Sequence, residues 1–231
     1  MQNNMKKLIY ILLLLVTVYS CQDNLIDGGI SSAKVNKTTV EYLSSNAKFD
    51  TVMILFKKAG LLDQLDKLNS TVFIPTNYSV NQYIKQIQAQ KQAAMNDENL
   101  KYTFNDLLND FDLFKDSLKM YVVNQYIDRT KLVVATDGKI ETKSLLGNDV
   151  EVSLVSTKLY TEWLPGSDVR LIHYKSVING LDPTDNSATP VADRDVDNIC
   201  QTTGILTTTG VLNVLEDTHN LFFNKRARIT N

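Results

Sequence analysis

In the first half of the chain, apolar residues recur at helical spacing. The stretches Thr38–Ser45 and Phe49–Ala59 place their large apolar side chains three or four positions apart, which is typical of helices with one buried face. A threonine is suited to cap the first helix, and Gly60 is suited to end the second. The stripe from Phe104 to Tyr121 is the strongest of this kind, and it predicts a further core helix.

A buried strand interrupts these helices. The run Thr71-Val72-Phe73-Ile74 is β-prone, and Pro75 ends it because proline cannot donate a hydrogen bond to a neighbouring strand. Its consecutive apolar residues predict burial on both faces. Thr76 or Asn77 is suited to cap the next helix, which turns polar after Gln86 and becomes an exposed helix end or loop.

Beyond residue 125 the pattern becomes that of β-structure. Asp137-Gly138 predicts a hairpin, and a polar, acidic loop is expected over Asp182–Asp197. The predicted strands are Lys131–Ala135, Lys139–Lys143, Val150–Val155, Val169–Ile178 and Gly210–Leu215. Helices that come first and strands that come later favour an α+β fold over an alternating βαβ fold.

The first 20 residues have the pattern of a bacterial lipoprotein signal peptide. Lys6 and Lys7 precede an apolar run from Leu8 to Tyr19, which is shorter than the roughly 20 residues of a membrane-spanning helix. The run ends in Val-Tyr-Ser-Cys and resembles a lipobox, with Cys21 as the site of lipid attachment. Acyl chains anchor a protein without spanning the bilayer. Because Gln22 rather than aspartate follows Cys21, and Asp23 and Asp27 resemble the acidic start of outer-surface lipoproteins, we expect a protein tethered to the outer membrane and facing the cell surface.

The remaining 211 residues suit one sizeable domain. Residues 21–37 are predicted to form a flexible stalk, residues 34–224 the domain, and residues 225–231 a basic tail. Without Lys6 and Lys7 the chain carries 22 basic and 26 acidic residues, a net charge of about −4. A mildly acidic chain is unsuited to nucleic-acid binding, which needs clustered cations on the surface.

The sequence contains no recognisable catalytic or metal-binding motif. His173 and His219 have no second histidine or cysteine at metal-ligand spacing, and structural roles are expected for both. Cys200 has no disulfide partner once Cys21 is acylated, and it is expected to be a buried thiol. The Asp-x-Asp-x-Asp run at Asp193–Asp197 lacks the glycine and glutamate of an EF-hand loop. No catalytic residue, metal ligand or cofactor is predicted.

Two short segments resemble the signatures of the fasciclin (FAS1) domain family. In the first, Thr71, Val72, Phe73, Pro75, Thr76 and Asn77 match the family pattern, and in the second Gly210, Val211 and Val214 match. Asn213 and Glu216 stand where the family usually has histidine and aspartate. The resemblance implies a helical N-terminal half followed by a wedge-shaped β-sandwich. The signature residues are mostly apolar, so their role is expected to be mainly structural.

The resemblance also implies a binding or adhesion module rather than an enzyme. The family often carries Tyr-His between its signatures, a motif linked to integrin binding in animal members, whereas Val122 follows Tyr121 here. Integrin-type adhesion is therefore not expected.

The remaining candidate ligand contacts are Tyr160 and Trp163, which flank a carboxylate beside the predicted Pro165-Gly166 turn. Aromatic faces beside carboxylates suit sugar rings, and packing over the edge of the sandwich is the alternative. We expect a surface lipoprotein that binds an extracellular protein or glycan. An envelope scaffold or an accessory component of an outer-membrane glycan-uptake system is the alternative, and a hydrolase is a third hypothesis.

Overall fold

In a computed structural model, residues 33–158, 162, 169–183 and 187–223 are described. The α-helices of this part are α1 (Thr39–Ser44), α2 (Asp50–Lys58), α3 (Leu62–Leu65), α4 (Asn77–Met95), α5 (Phe104–Asn109) and α6 (Arg129–Val134). Local sequence explains several ends. Thr38 and Glu41 form a reciprocal capping box at the start of α1. Gly60, with φ +68°, follows α2.

The strands form one mixed sheet. They are β1 (Ser70–Ile74), β2 (Val122–Val123), β3 (Lys139–Lys143), β4 (Asp149–Ser156), β5 (Arg170–Ser176), β6 (Val196–Leu206) and β7 (Gly210–Leu215). Their order is β2-β1-β7-β6-β5-β4-β3. Only β1 and β7 pair in parallel among the described strands, and Thr71 lies opposite Val211.

The sheet folds back on itself as a sandwich, and β6 belongs to both halves. The start of β6 pairs with β5, while the part from Cys200 onward pairs with β7. The two edge strands also meet, since Val123 at the end of β2 forms a bridge with Ser144, which follows β3. Inside, the ring of Phe73 stacks on that of Tyr174 with centroids 4.0 Å apart. The α+β fold with a sandwich, predicted from the sequence, is confirmed.

Most predicted elements are present, but the strand predicted at Lys131–Ala135 is wrong. Residues Arg129–Val134 form α6, and the Asp128 side chain caps it by accepting a hydrogen bond from Lys131 N at 2.9 Å. Leu132 is buried, whereas Val133 and Val134 are exposed. The Asp128 cap and the burial of Leu132 favour a helix here more strongly than the weak β-preference of the two valines favours a strand.

Two further expectations are corrected. The Phe104–Tyr121 stripe is not one helix, because α5 ends at Asn109 and short 3₁₀ turns continue it at Phe111–Leu113 and Lys115–Tyr121. The expected loop at Asp182–Asp197 is shorter, since β6 begins at Val196. Most of β6 was not predicted at all.

The described chain is attached to the sheet from its start. Lys34 forms a parallel bridge with Leu206, and Val35 N donates to Leu206 O at 2.9 Å. Thr208 N donates to Lys37 O at 2.9 Å. Residues 34–37, where the predicted stalk and the predicted domain overlap, therefore pair with the β6–β7 hairpin.

Candidate functional site

The two signature segments lie side by side in the core as β1 and β7. Every residue of both strands is buried, including Phe73 and Val211. The strands approach so closely at Gly210 that a Cβ atom there would stand 2.2 Å from Ser70 O. Only glycine fits at this position, which explains why the segment begins with it. The residues of β1 and β7 thus serve packing, and their side chains are not available to a ligand.

The polar residues of the first signature tie helices and loops to β1. The Thr71 hydroxyl donates to Gln125 O at 2.7 Å and accepts from Ile127 N at 2.8 Å. Thr76 occupies the cap position of α4 without capping it, because its hydroxyl donates to Asp217 at 2.7 Å. The prediction that Thr76 or Asn77 caps α4 is therefore right about the position of Thr76 and wrong about the cap, since neither side chain bonds to the first turn of α4.

Asn77 caps a different helix from the one it begins. Its Oδ1 accepts from Thr51 N at 2.9 Å and Val52 N at 3.3 Å in the first turn of α2. Its Nδ2 donates to Ala47 O at 2.8 Å. Phe49, at the cap position of α2, has no side-chain acceptor to offer. Asn77 thus fixes α2 against the end of β1.

His219 lies in a buried chain of hydrogen bonds whose directions are fully determined. Asn198 Nδ2 donates to the carbonyls of Tyr174 and Val196, so Asn198 Oδ1 is the acceptor for His219 Nδ1–H at 2.6 Å. His219 Nε2 then accepts from the Tyr121 hydroxyl at 2.8 Å, and that oxygen accepts from Phe222 N at 2.8 Å. This arrangement fits a neutral imidazole that is protonated at Nδ1.

Burial sets the protonation of this cluster. It lowers the pKa of His219 from 6.5 to about 3, and it raises the pKa of Tyr121 well above its usual value. A base that does not take up a proton near neutral pH and has no solvent access is unsuited to catalysis. The structural role expected for His219 is the one its contacts indicate.

His173 and Cys200 are also held by the fold. His173 Nδ1 lies 2.8 Å from Asp197 Oδ2 across β5 and β6. Cys200 is buried, and desolvation raises its pKa far above that of a free thiol, so it stays protonated and unreactive. Neither side chain forms a nucleophile–base pair in the described part of the chain.

The acidic loop uses its carboxylates to hold itself together. Asp195 accepts from Ile178 N and Asp182 N, and Asp182 accepts from Asp195 N, all at 2.8–2.9 Å. Within the described residues, no group of three or more His, Cys, Asp or Glu side chains is placed to hold a metal ion. Asp185 lies outside that part of the chain.

The outward face of β3, β4 and β5 is strongly charged. Glu151 is buried in its centre, with Oε1 at 3.1 Å from Lys175 Nζ and Oε2 at 3.7 Å from Lys139 Nζ. The alternating pattern of β4 predicts that Glu151 points away from the core, but it gives no sign of this burial. Nor does any spacing connect Tyr121, Asn198 and His219, which lie far apart along the chain.

Two open clefts on the described surface are large enough for a small ligand. One has a volume of about 420 Å³, and it is lined by Glu141, Thr142, Lys143, Asp149, Val150, Val177, Gly180 and Leu181. The other, of about 380 Å³, lies between α1, α2 and α3 and is lined by Ser44, Asp50, Met53, Ile54, Lys57 and Leu62. Neither cleft contains a histidine or cysteine.

Several predicted functional residues fall outside the described residues. These are the lipid-attachment residue Cys21 and the candidate ligand contacts Tyr160 and Trp163, together with the signal peptide and the basic tail. Tyr160 and Trp163 belong to the connection between β4 and β5. In the described part of the chain, no helix is long and apolar enough to cross a membrane.

Comparison with known families decides the assignment. The model of the fasciclin domain matches residues 47–194. The chain belongs to the fasciclin domain family. The match includes the first signature segment, in β1, and ends before the second, in β7. Fasciclin domains are binding and adhesion modules, so membership supports a general binding role.

Among solved structures, the chain is similar to a FAS1 domain pair from the insect cell adhesion molecule Fasciclin I, with 11% identity and a TM-score of 0.46. That match covers 77% of this chain and 46% of the insect chain, so this chain spans about half the length of the protein it matches. No curated protein matches the chain.

Proposed function

We propose that this protein is a surface-anchored lipoprotein whose single fasciclin domain binds an extracellular protein or glycan. Family membership over residues 47–194 is the observation that carries the binding role. The anchor is inferred from the signal-like N-terminus and the lipobox resemblance at Cys21. Acyl chains on Cys21 would hold the domain at the outer membrane without a spanning helix.

Because the signature strands are buried, we infer that a ligand binds elsewhere on the domain. Phe73, Val211 and Gly210 are used in packing, and His219 and Cys200 are enclosed. A ligand would therefore contact loops, the outer sheet face or an exposed helix surface, and not the signature strands. The β4–β5 connection carries both Tyr160 and Trp163, and aromatic side chains are enriched where proteins bind partners.

The binding role is tested with the purified chain on immobilised glycans and extracellular matrix proteins. We expect saturable binding to at least one of them, and Trp163→Ala or Tyr160→Ala should weaken it by about tenfold or more. Tyr78→Ala is the matched control, because Tyr78 is a half-exposed aromatic residue on α4, far from these positions in the sequence. An absence of saturable binding on the whole panel argues against an external ligand and favours an envelope scaffold.

The anchor is tested separately by mass spectrometry of the N-terminal peptide. The proposal requires cleavage before Cys21 and an added diacylglycerol mass on its sulfur. Cys21→Ser should leave the chain soluble after cell fractionation, whereas Cys200→Ser should leave it in the membrane fraction. Protease treatment of intact cells shows on which side of the outer membrane the domain lies, since an external domain is digested and a periplasmic one survives. An unmodified Cys21 in the mature protein would refute the anchor.

A further inference from the structure

The β3 strand has one edge that no described strand fully covers. Lys139–Lys143 pair with β4 on one side. On the other side, the described residues supply only the bridge between Ser144 and Val123, beyond the end of the strand. Such an edge presents backbone N–H and C=O groups that can pair with another extended chain.

The side chains of this edge alternate in charge. Lys139, Glu141 and Lys143 are exposed on one face, while Ile140 and Thr142 are half-buried on the other. Lys143 is paired with Asp149 at 2.6 Å, but Glu141 lies directly opposite Glu151 of β4, which carries the same charge. An edge that carried only lysines would repel a second copy in every register. With a glutamate between two lysines, self-pairing is favourable in a register that places glutamate opposite lysine.

We propose that β3 is a self-association edge, on which β3 of a second copy pairs antiparallel about a two-fold axis at Ile140. Lys139 then lies opposite the partner's Glu141, and Glu141 lies opposite the partner's Lys139. Ile140 meets the partner's Ile140 on the other face. Since Ile140 already packs against the hydrophobic core, this contact extends that core from one copy into the other.

Two other registers are less suitable. An axis at Glu141 would place the Glu141 carboxylate opposite the partner's Glu141, and Lys139 opposite the partner's Lys143. Both are pairs of like charge. An axis at Thr142 would again pair glutamate with lysine, but it would require Ser144 to pair with the second copy, and Ser144 is already bridged to Val123. The axis at Ile140 leaves that bridge intact.

The test is sedimentation equilibrium of the full chain in detergent, over concentrations up to several hundred micromolar. We expect a concentration-dependent monomer–dimer equilibrium. Glu141→Lys should weaken the dimer by about tenfold or more, because it sets two like-charged pairs opposite each other. This variant should fold, since the new lysine would face Glu151. The exchange Lys139→Glu with Glu141→Lys should restore the dimer, because the cross-strand pairs become complementary again.

Three results would overturn the proposal. The first is a chain that stays monomeric across the whole concentration range. The second is a dimer whose dissociation constant is unchanged by Glu141→Lys. The third is a double exchange that fails to restore the dimer that the single change weakens. Thermal unfolding of each variant shows that the fold is retained. Because the readout is mass in solution, it is independent of whether the domain binds an external ligand.

Discussion

At the scale of single residues, buried and half-buried polar side chains act as fixed connectors. Asn77, Thr71 and His219 each contact parts of the chain that are distant in sequence, and each makes two or three hydrogen bonds. A buried hydrogen bond adds little net stability, but removing one partner leaves the other without compensation. These residues should therefore be sensitive to small chemical changes.

The double role of Asn77 gives a direct prediction. Asn77→Ala removes the acceptor for Thr51 N and Val52 N, and it should lower the free energy of unfolding by about 1–2 kcal/mol. Asn77→Asp keeps that acceptor and loses only the donor to Ala47 O, so it should cost less. Urea denaturation of both variants measures the difference. Equal losses would show that the cap on α2 is not what Asn77 contributes.

His219 predicts a loss of stability in mild acid. Its pKa is lowered from 6.5 to about 3 on folding, so below pH 6.5 the unfolded chain binds a proton that the folded protein excludes. The stability that His219 contributes to the folded state is fully present above pH 6.5 and is lost as the pH falls toward 3. Between pH 6.5 and pH 5 this loss is about 2 kcal/mol.

Urea denaturation across that window is the measurement, since most carboxylates titrate at lower pH. His219→Gln has no proton to bind and should show a much flatter dependence. His173→Gln, which keeps His219, is the matched control and should follow the wild type. A wild-type stability that does not change between pH 6.5 and pH 5 would contradict the buried neutral imidazole.

At the scale of elements, the first signature strand is held in place by a hydroxyl. Thr71→Val keeps the shape of the side chain but leaves Gln125 O and the buried Ile127 N without this partner. The expected loss in the free energy of unfolding is about 2–4 kcal/mol. Thr71→Ser retains the hydroxyl and should lose less than half of that. Chemical denaturation distinguishes the two, and equal losses would assign the effect to the methyl group.

Elements with strong local patterns could be predicted from the sequence. The helices near Thr39 and Asp50 have caps or stop signals beside a clear apolar face, and β1 and β4 have uninterrupted β-prone runs. The failures occurred where tertiary contacts overrode those patterns. Residues Arg129–Val134 are rich in valine yet form a capped helix, because one buried leucine and an aspartate cap were enough.

The missed strand β6 has a different cause. Its register shifts twice, between Cys200 and Thr202 and between Thr202 and Ile205, so its inward and outward residues do not alternate regularly. Gly204, with φ +70°, lies within the second irregularity, and its N donates to Asn213 Oδ1 at 2.9 Å. Prediction from regular alternation of apolar and polar residues therefore misses β6, because the two register shifts interrupt that alternation.

At the scale of the whole molecule, family signatures and functional surfaces are separate. The signatures build the parallel β1–β7 pair at the centre of the sheet, and the family match includes the first of them. The outer face of β3–β5 is not part of that pair, and Tyr160 and Trp163 lie outside both signature segments. This explains why the sequence predicted the fold and the buried signature residues but could only suggest Tyr160 and Trp163 as contacts.

The central claim is that Cys21 holds a binding domain on the outer surface of the cell. Adhesion of intact cells to a surface coated with the glycan or matrix protein that binds the purified chain tests both parts together. Cells that carry the wild-type chain should adhere, and cells that carry Cys21→Ser should not, although the released chain still binds the coating. Equal adhesion by the two, with equal amounts of chain retained on the cells, would contradict the account.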